Sequence, residues 1–355
     1  MSPDGRSGDY DWLYEDDRRR SSSPEPSPRG GDDLPPPQLP PPGSGSGSAG
    51  RPRKKRGKLR YLWLLLVLWL AFLVAVPFIA WAQVTKVPAT PEGDRPDGQR
   101  GSNYVIVGSD ARPGEEARGR TDSIMVLHTG RGPTVLTSFP RDSIVDIPGH
   151  GSTKINAAYA FGGAPLLVQT IEQNTGLHID GFVEIGFEGL VDVVDSLGGI
   201  ELCPENALQD EDSGLDIEAG CQTVDGETAL AYSRNRKSHA SGDIARGEAQ
   251  REVIGAIGSK ARSPWTILNP LRYYGAAVDT GDALAVGDDV SLFSFVRFAW
   301  ALSGAMGGNG LNCTVPIADM QVNWDSTRAP AFFEQLINDT SDDLGDLCTP
   351  TGLPE

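Results

Sequence analysis

Positive charge is scarce along this chain: 31 lysines and arginines face 48 aspartates and glutamates, for a formal net charge of −17. The deficit deepens outward, because 12 basic and 9 acidic residues lie within 1–60 and 19 basic and 39 acidic residues follow. A region that acidic does not hold DNA or RNA through the phosphate backbone, so nucleic-acid binding is excluded. Cysteine and histidine are sparse as well, four of each. No Cys-x-x-Cys pair with a nearby histidine occurs, which excludes a zinc site, and the scattered histidines are expected at the surface. No Ser-His-Asp or Cys-His arrangement is evident, so a nucleophilic triad is not the basis of any activity. No internal repeat is found.

Packing residues are nearly missing from Leu34–Gly50, within a segment 1–50 dominated by Pro, Gly, Ser and charge. Such a stretch buries too little apolar surface to offset its ordering entropy and reads as a disordered tail, 1–60 including its basic end. Tyr10, Trp12, Leu13 and Tyr14 interrupt it, as incidental hydrophobes or as a docking motif for a cytoplasmic partner. Arg51 to Arg60 then carries seven Lys or Arg and no acid, and Tyr61–Trp81 carries no charge at all. That apolar stretch gives about 30 Å of helix, enough to cross a bilayer. Basic residues stay on the cytoplasmic side, so a transmembrane helix over 61–82 leaves the C-terminal domain outside. A cleaved signal, with Ala80-Trp81-Ala82 at its end, is the alternative, but sixty residues precede the apolar run.

Beyond the span, 83–102 is rich in Pro, Gly and Asp and reads as a stalk, and 103–355 is long enough for one large domain. Strands are expected at Asn103–Gly108, Ser123–Thr129, Thr134–Phe139 and Phe182–Ile185, with a hairpin turn at 130–133. Ile144–Ile147 extends the sheet on this reading. Helices are expected from Pro165 to Gly176, over Phe187–Leu197, Glu227–Ser233 and Asp243–Arg262, and near Val290–Leu302 and Ala329–Asn338. Mixed strands and helices in this order give an α/β layered domain. All four cysteines lie on the outer side, where disulfides persist. Cys203 and Cys221 flank an acidic loop without a core of its own, so they are expected to pair, leaving Cys313 with Cys348.

The few outer arginines concentrate in short motifs: Gly108-Ser109-Asp110-Ala111-Arg112, Gly119-Arg120-Thr121-Asp122-Ser123, Phe139-Pro140-Arg141-Asp142, Ser233-Arg234-Asn235-Arg236 and Gly242-Asp243-Ile244-Ala245-Arg246…Gln250. Guanidinium forks suit phosphate oxygens, and paired carboxylates suit a hard cation such as Mg²⁺. Asp243, Arg246 and Gln250 share one face of a helix whose first-turn amides favour an anion. Asp110 and Asp122 sit at strand ends, where two carboxylates either share a cation or form turns. Any one arginine reads as a solvated surface charge, and the set carries the argument.

These motifs, with Lys154-Ile155-Asn156-Ala157-Ala158-Tyr159, resemble in content and order the LytR-CpsA-Psr family of cell-wall glycopolymer ligases, over about Tyr104 to Arg262. The resemblance implies a single α/β/α domain around a mixed sheet, acting on a polyprenyl-pyrophosphate-linked glycopolymer and a peptidoglycan or related wall acceptor. Carried over by position, Asp110 and Asp122 hold Mg²⁺. Arg112, Arg120, Arg141, Arg234, Arg236, Arg246 and Gln250 contact the pyrophosphate, Arg141, Arg234, Arg236 and Asp243 act in the chemistry, and Asp142 braces its loop. Ala158, Phe161, Leu167, Ile171, Phe187, Leu190 and Val194 are candidates to line the polyprenyl tail. Thr121 and Phe139 stand where the family more often has Ser and Ile. Gly247-Glu248-Ala249 replaces commoner basic residues, which weakens the grip on the headgroup there. A pyrophosphatase using water as acceptor, or a non-catalytic binder of lipid-linked polymer, would draw on the same residues.

Overall fold

The computed structural model describes residues 56–109, 121–210, 213–235, 243–319 and 321–354. The chain opens with α1 (Arg56–Trp81), and a short strand β1 (Thr85–Val87) follows. Next come β2 (Ser102–Ser109), β3 (Thr121–Thr129) and β4 (Thr134–Phe139), then a small hairpin of β5 (Ile144–Ile147) and β6 (Gly151–Lys154). Helix α2 (Asn156–Thr175), β7 (Gly181–Gly186) and α3 (Phe187–Ser196) lead into four short strands: β8 (Ile200–Leu202), β9 (Leu208–Asp210), β10 (Leu215–Ile217) and β11 (Gln222–Val224). Helices α4 (Gly226–Arg234), α5 (Asp243–Ala261), α6 (Pro264–Leu268) and α7 (Pro270–Ala283) precede β12 (Leu284–Gly287). The chain closes with α8 (Leu292–Gly304), β13 (Gly310–Thr314) and α9 (Arg328–Ile337).

Seven strands form one mixed sheet in the order β1-β12-β7-β2-β3-β4-β13. Strand β2 alternates its side chains between two cores, as the two-residue period of a strand requires. Val105 and Val107 join Leu167, Ile171 and Phe332 of α2 and α9 on one face. Tyr104 and Ile106 join Phe298 of α8 on the other. The result is the expected α/β/α layering. Each such fully buried aliphatic side chain stabilises by about 1.5–3 kcal/mol. A third core under the short hairpins packs α3, α4 and α5 through Leu190, Val194, Tyr232 and Val253.

Four expectations are corrected. Among the described residues, Ile144–Ile147 does not extend the main sheet; it pairs with Gly151–Lys154 in a separate two-stranded hairpin. The expected stalk 83–102 lies against the domain: Thr85–Val87 pairs with Ala285–Gly287, and the Arg95 guanidinium meets Glu172 at 2.6–3.1 Å and the Ile179 carbonyl at 2.6 Å. An extended strap has no hydrophobic period, so its Pro and Gly read as a linker. Helix α2 starts before Pro165, at Asn156, and is interrupted at Gly162 and Gly163, where Gly163 has φ 62°. Pro165 therefore opens the second segment, where its missing N–H costs nothing. His128, expected at the surface, is fully buried, with Nδ1 2.8 Å from Asn103 Oδ1. The structure pairs Cys203 with Cys221 and Cys313 with Cys348, the two pairs expected.

Candidate functional site

Strand register gathers the motifs at one edge of the sheet. Ser109, at the end of β2, lies opposite Thr121 at the start of β3 and opposite Gly186 at the end of β7. Phe139, at the end of β4, lies opposite Ile124. The same edge thus receives the described residues of the Gly-Ser-Asp, Gly-Arg-Thr-Asp and Pro-Arg-Asp motifs, which are separate in sequence. The turn 130–133 lies at the opposite edge.

The Pro-Arg-Asp turn is held from below by the Lys154–Tyr159 motif. Lys154 Nζ meets Asp142 Oδ1 at 2.9 Å, Ile155 N donates to the Ser143 carbonyl at 2.8 Å, and Asn156 N donates to the Arg141 carbonyl at 3.3 Å. Asp142 thereby braces the loop, and Arg141 stands half-buried between the strand end and α2. Helix α5 reaches the same edge, because Arg251 Nη1 donates to Ser138 Oγ at 2.6 Å. Beside Arg251, Gln250 is buried, and Glu252 Oε2 accepts from Tyr232 Oη of α4 at 2.6 Å. That bond ties the end of α4, with the exposed Arg234 as its last residue, to α5. It also raises the Tyr232 pKa, after burial, by adding a carboxylate partner.

Asp122 lies in β3, and Asp243 and Arg246 lie in the first turns of α5; their side chains are outside the described residues. Asp110, Arg112, Arg120 and Arg236 fall wholly outside them. Asp110 directly follows Ser109 and Asp122 directly follows Thr121, residues that pair across β2 and β3. The donors at these two positions are carboxylate oxygens, a chemistry that would suit Mg²⁺ rather than a thiolate-seeking metal. Glu201, Cys203 and Cys221 also cluster, but both sulfurs are committed to their disulfide.

Sequence reasoning missed a polar trio beneath this edge. Tyr159 Oη donates to Glu184 Oε2 at 2.8 Å, and Ser109 makes a further side-chain hydrogen bond to Glu184. Glu184 is buried in β7, and desolvation pushes its carboxyl above the usual range, with the two hydrogen bonds opposing the shift. An acid in the otherwise apolar run Gly181-Phe182-Val183-Glu184-Ile185-Gly186 was the available signal. The trio ties Ser109, the residue before Asp110, to the last residue of the Lys154–Tyr159 motif.

An apolar cavity of about 250 Å³ lies farther along α5, lined by its Ile257 and Ala261 and by Trp81, Val193, Tyr273 and Phe295 from α1, α3, α7 and α8. Gln250 and Ile257 are seven residues apart, about 10 Å of helix. The residues expected to line a tail are elsewhere. Ala158, Leu167 and Ile171 fill the core between the sheet and α2, and Leu190 and Val194 fill the hairpin core. Phe161 is exposed and stacks on His150, and the Phe187 side chain is outside the described residues. Helical spacing marked these residues as buried, but spacing alone does not separate a filled core from a cavity wall.

The profile of the LytR_cpsA_psr family matches residues 82–282. "Probable cell wall biosynthesis protein LcpB" of Corynebacterium glutamicum is 39% identical over 317 residues, covering 82% of this chain and 75% of that protein. TagT of Bacillus subtilis, a polyisoprenyl-teichoic acid–peptidoglycan teichoic acid transferase, is 33% identical over 215 residues, covering 56% of this chain and 65% of its own. Its structure with octaprenyl pyrophosphate lipid superposes with a TM-score of 0.52 at 22% identity, over 72% of this chain and 99% of that one. A LytR-Csp2A-Psr enzyme from Actinomyces oris superposes at 0.59 and 19% identity, over 75% of this chain and 97% of its own. The match runs past the motifs at both ends, taking in the strap at 83–102 and all but the last residue of α7. With the motifs at one sheet edge and the fold shared, the chain belongs to the LytR_cpsA_psr family.

Proposed function

We propose that this chain is a membrane-anchored, Mg²⁺-dependent phosphotransferase that moves a glycopolymer from a polyprenyl-pyrophosphate carrier to peptidoglycan or a related wall acceptor. The observation that carries the reading is α5, which joins the motif edge at Gln250 and Arg251 to an apolar cavity at Ile257 and Ala261. A pyrophosphate with a long isoprenoid tail needs an anion site and an apolar site at that kind of separation. The names of the relatives, and the octaprenyl pyrophosphate bound in one of them, support the same substrate class. Helix α1 is long and apolar enough to anchor the chain, and its basic N-terminal flank favours a cytoplasmic tail and an outer catalytic domain.

In this reading the acceptor hydroxyl attacks the sugar-bearing phosphorus, the bridging P–O bond breaks, and polyprenyl monophosphate leaves. Charge spreads over the non-bridging oxygens, and the protein acts by positioning and neutralising it. Arg141, Arg234, Arg236 and Arg246, with Arg112, Arg120 and Gln250, hold those oxygens, and Asp243 orients an arginine or the acceptor hydroxyl. Mg²⁺ between Asp110 and Asp122 would supply further neutralisation at the pyrophosphate. The test incubates the full-length protein in vesicles with a polyprenyl-pyrophosphate glycan and wall oligomers. Glycan joined to the oligomer through a phosphodiester is the expected product; release of free glycan phosphate alone, with oligomers present, overturns the transferase reading.

A further inference from the structure

Helix α1 contains Pro77, which has no N–H to give to the carbonyl of Leu73 one turn earlier. In a bilayer no water replaces that donor, and an unsatisfied carbonyl costs several kcal/mol. The structure supplies a substitute: Tyr273 Oη of α7 donates to the Leu73 carbonyl at 2.9 Å, and its ring lies 6.0 Å from that of Phe72. Eight residues later Gly281 packs against Ala80, where a Cβ would sit 2.4 Å from the Ala80 carbonyl oxygen. Ala277 and Gly281, four apart, present the small-residue spacing by which helices approach closely in membranes. Helix α7 therefore runs alongside the last two turns of the span, in the same direction.

The depth of that contact follows from the sequence. Trp81 ends the span, and Lys86 Nζ lies 4.3 Å from its ring centroid, as befits a residue at the headgroup level. Leu73 is eight residues earlier, about 12 Å inward, in a leaflet whose hydrocarbon is about 15 Å deep. The chain that enters α7 has a surface to match: Trp265, Leu268 and Leu271 are 78%, 63% and 83% exposed. On α8, Phe293, Val296 and Trp300 form an exposed stripe three and four residues apart, beside Phe295, which packs on Trp81 at 5.3 Å. Acids in α7 are confined to Asp279 and Asp282, at the Ala80 end. Arg272 and, on the α8 stripe, the exposed Arg297 are the basic residues of this face; the Arg272 guanidinium turns to the Gly198 turn, and both side chains are long enough to reach the headgroups. Asn269 Oδ1 accepts from Leu271 N and Arg272 N, so the first amides of α7 are satisfied without water.

We propose that α6, the first half of α7 and the exposed stripe of α8 are embedded among the acyl chains of the domain-side leaflet, as a wedge beside the span. Phospholipid acyl chains are the occupant of this face. The inference rests on the reading of α1 as a membrane span and adds that the apolar cavity beside Trp81 and Tyr273 opens sideways into the leaflet. A polyprenyl tail would then enter it without leaving lipid.

The full-length protein is reconstituted in phosphatidylcholine–phosphatidylglycerol vesicles carrying a diazirine on the acyl chain, irradiated, and mapped by peptide mass spectrometry. Adducts are expected within 61–81 and also within 263–274 and 292–300, on the order of tenfold above those on α9. Leu271→Asp is expected to bring the 263–274 adducts down to the α9 level while the 61–81 adducts stay. Adducts confined to 61–81 overturn the wedge and leave the anchor standing, as does an α6–α8 face shielded by chain-to-chain cross-links. No adducts within 61–81 overturn the anchor itself, and the wedge with it.

Discussion

Among single residues, Arg141 and Glu184 bear opposite kinds of load. Arg141 stands half-buried at the motif edge, while Arg131 sits in the hairpin turn at the far edge, its backbone N–H on Asp339 Oδ1 at 2.9 Å. Arg141→Ala is expected to lower kcat by about a hundredfold to a thousandfold, the effect of losing one preorganised donor, with the melting temperature little changed. Arg131→Ala is the control, and an equal loss in both would mean that bulk charge rather than position matters. Glu184 is a stability residue with a pH signature. Burial raises its folded-state pKa, so its contribution is fully present below the unfolded value and is lost as pH rises through the folded one. Glu184→Gln keeps the shape and stays neutral, so its melting temperature should hold as pH rises above the ordinary glutamate range while the wild type falls relative to it. Parallel curves for the two proteins would show that Glu184 does not titrate there.

Elements repeat the lesson with different partners. The Cys313–Cys348 bond closes a loop of 35 residues and ties β13, the edge strand beside β4, to the C-terminal segment. Chain entropy alone makes such closure worth about 3–4 kcal/mol. Cys313→Ser with Cys348→Ser should therefore lower the melting temperature by several degrees, measured against the untreated protein by calorimetry; an unchanged midpoint would mean the strand is held without it. Elements with a strong period were legible beforehand: β2, β3, β4, β7 and α3 all stand where alternation or helical spacing put them. Elements made by pairing rather than by period were not. Strand β1 has three residues and a partner two hundred positions away, and α7 carries Gly, Ala and Thr on the face that meets α1 rather than the large apolar stripe that marks a helix. The site divides the same way. Its motifs were readable as residue types, whereas Ser138–Arg251 and Ser109–Glu184–Tyr159 depend on strand register, which no local pattern states.

The whole molecule poses an electrostatic problem that a metal would solve. Past residue 60 the chain holds 39 acidic and 19 basic residues, and its proposed substrate is itself a pyrophosphate. An anion approaching an excess of negative charge is repelled unless positive charge is concentrated at the point of arrival, and in the proposed reading the motif arginines supply it, with Arg141 at the end of β4 the one whose place there is described. In that reading a divalent cation held by Asp110 and Asp122 would counter both carboxylates while adding attraction for phosphate oxygens. Turnover of the full-length protein in vesicles should therefore fall to background in excess chelator and return on adding Mg²⁺. Asp110→Asn and Asp122→Asn keep the side-chain shape but remove the charge a hard cation requires, so each should lose Mg²⁺-dependent turnover by about a hundredfold or more. Calorimetric titration with Mg²⁺ separates binding from rate: both variants should show weaker Mg²⁺ binding than wild type. Full turnover in chelator, or variants that match wild type, would assign the neutralising role to the arginines alone, and the two aspartates would then be turn-formers at the ends of their strands.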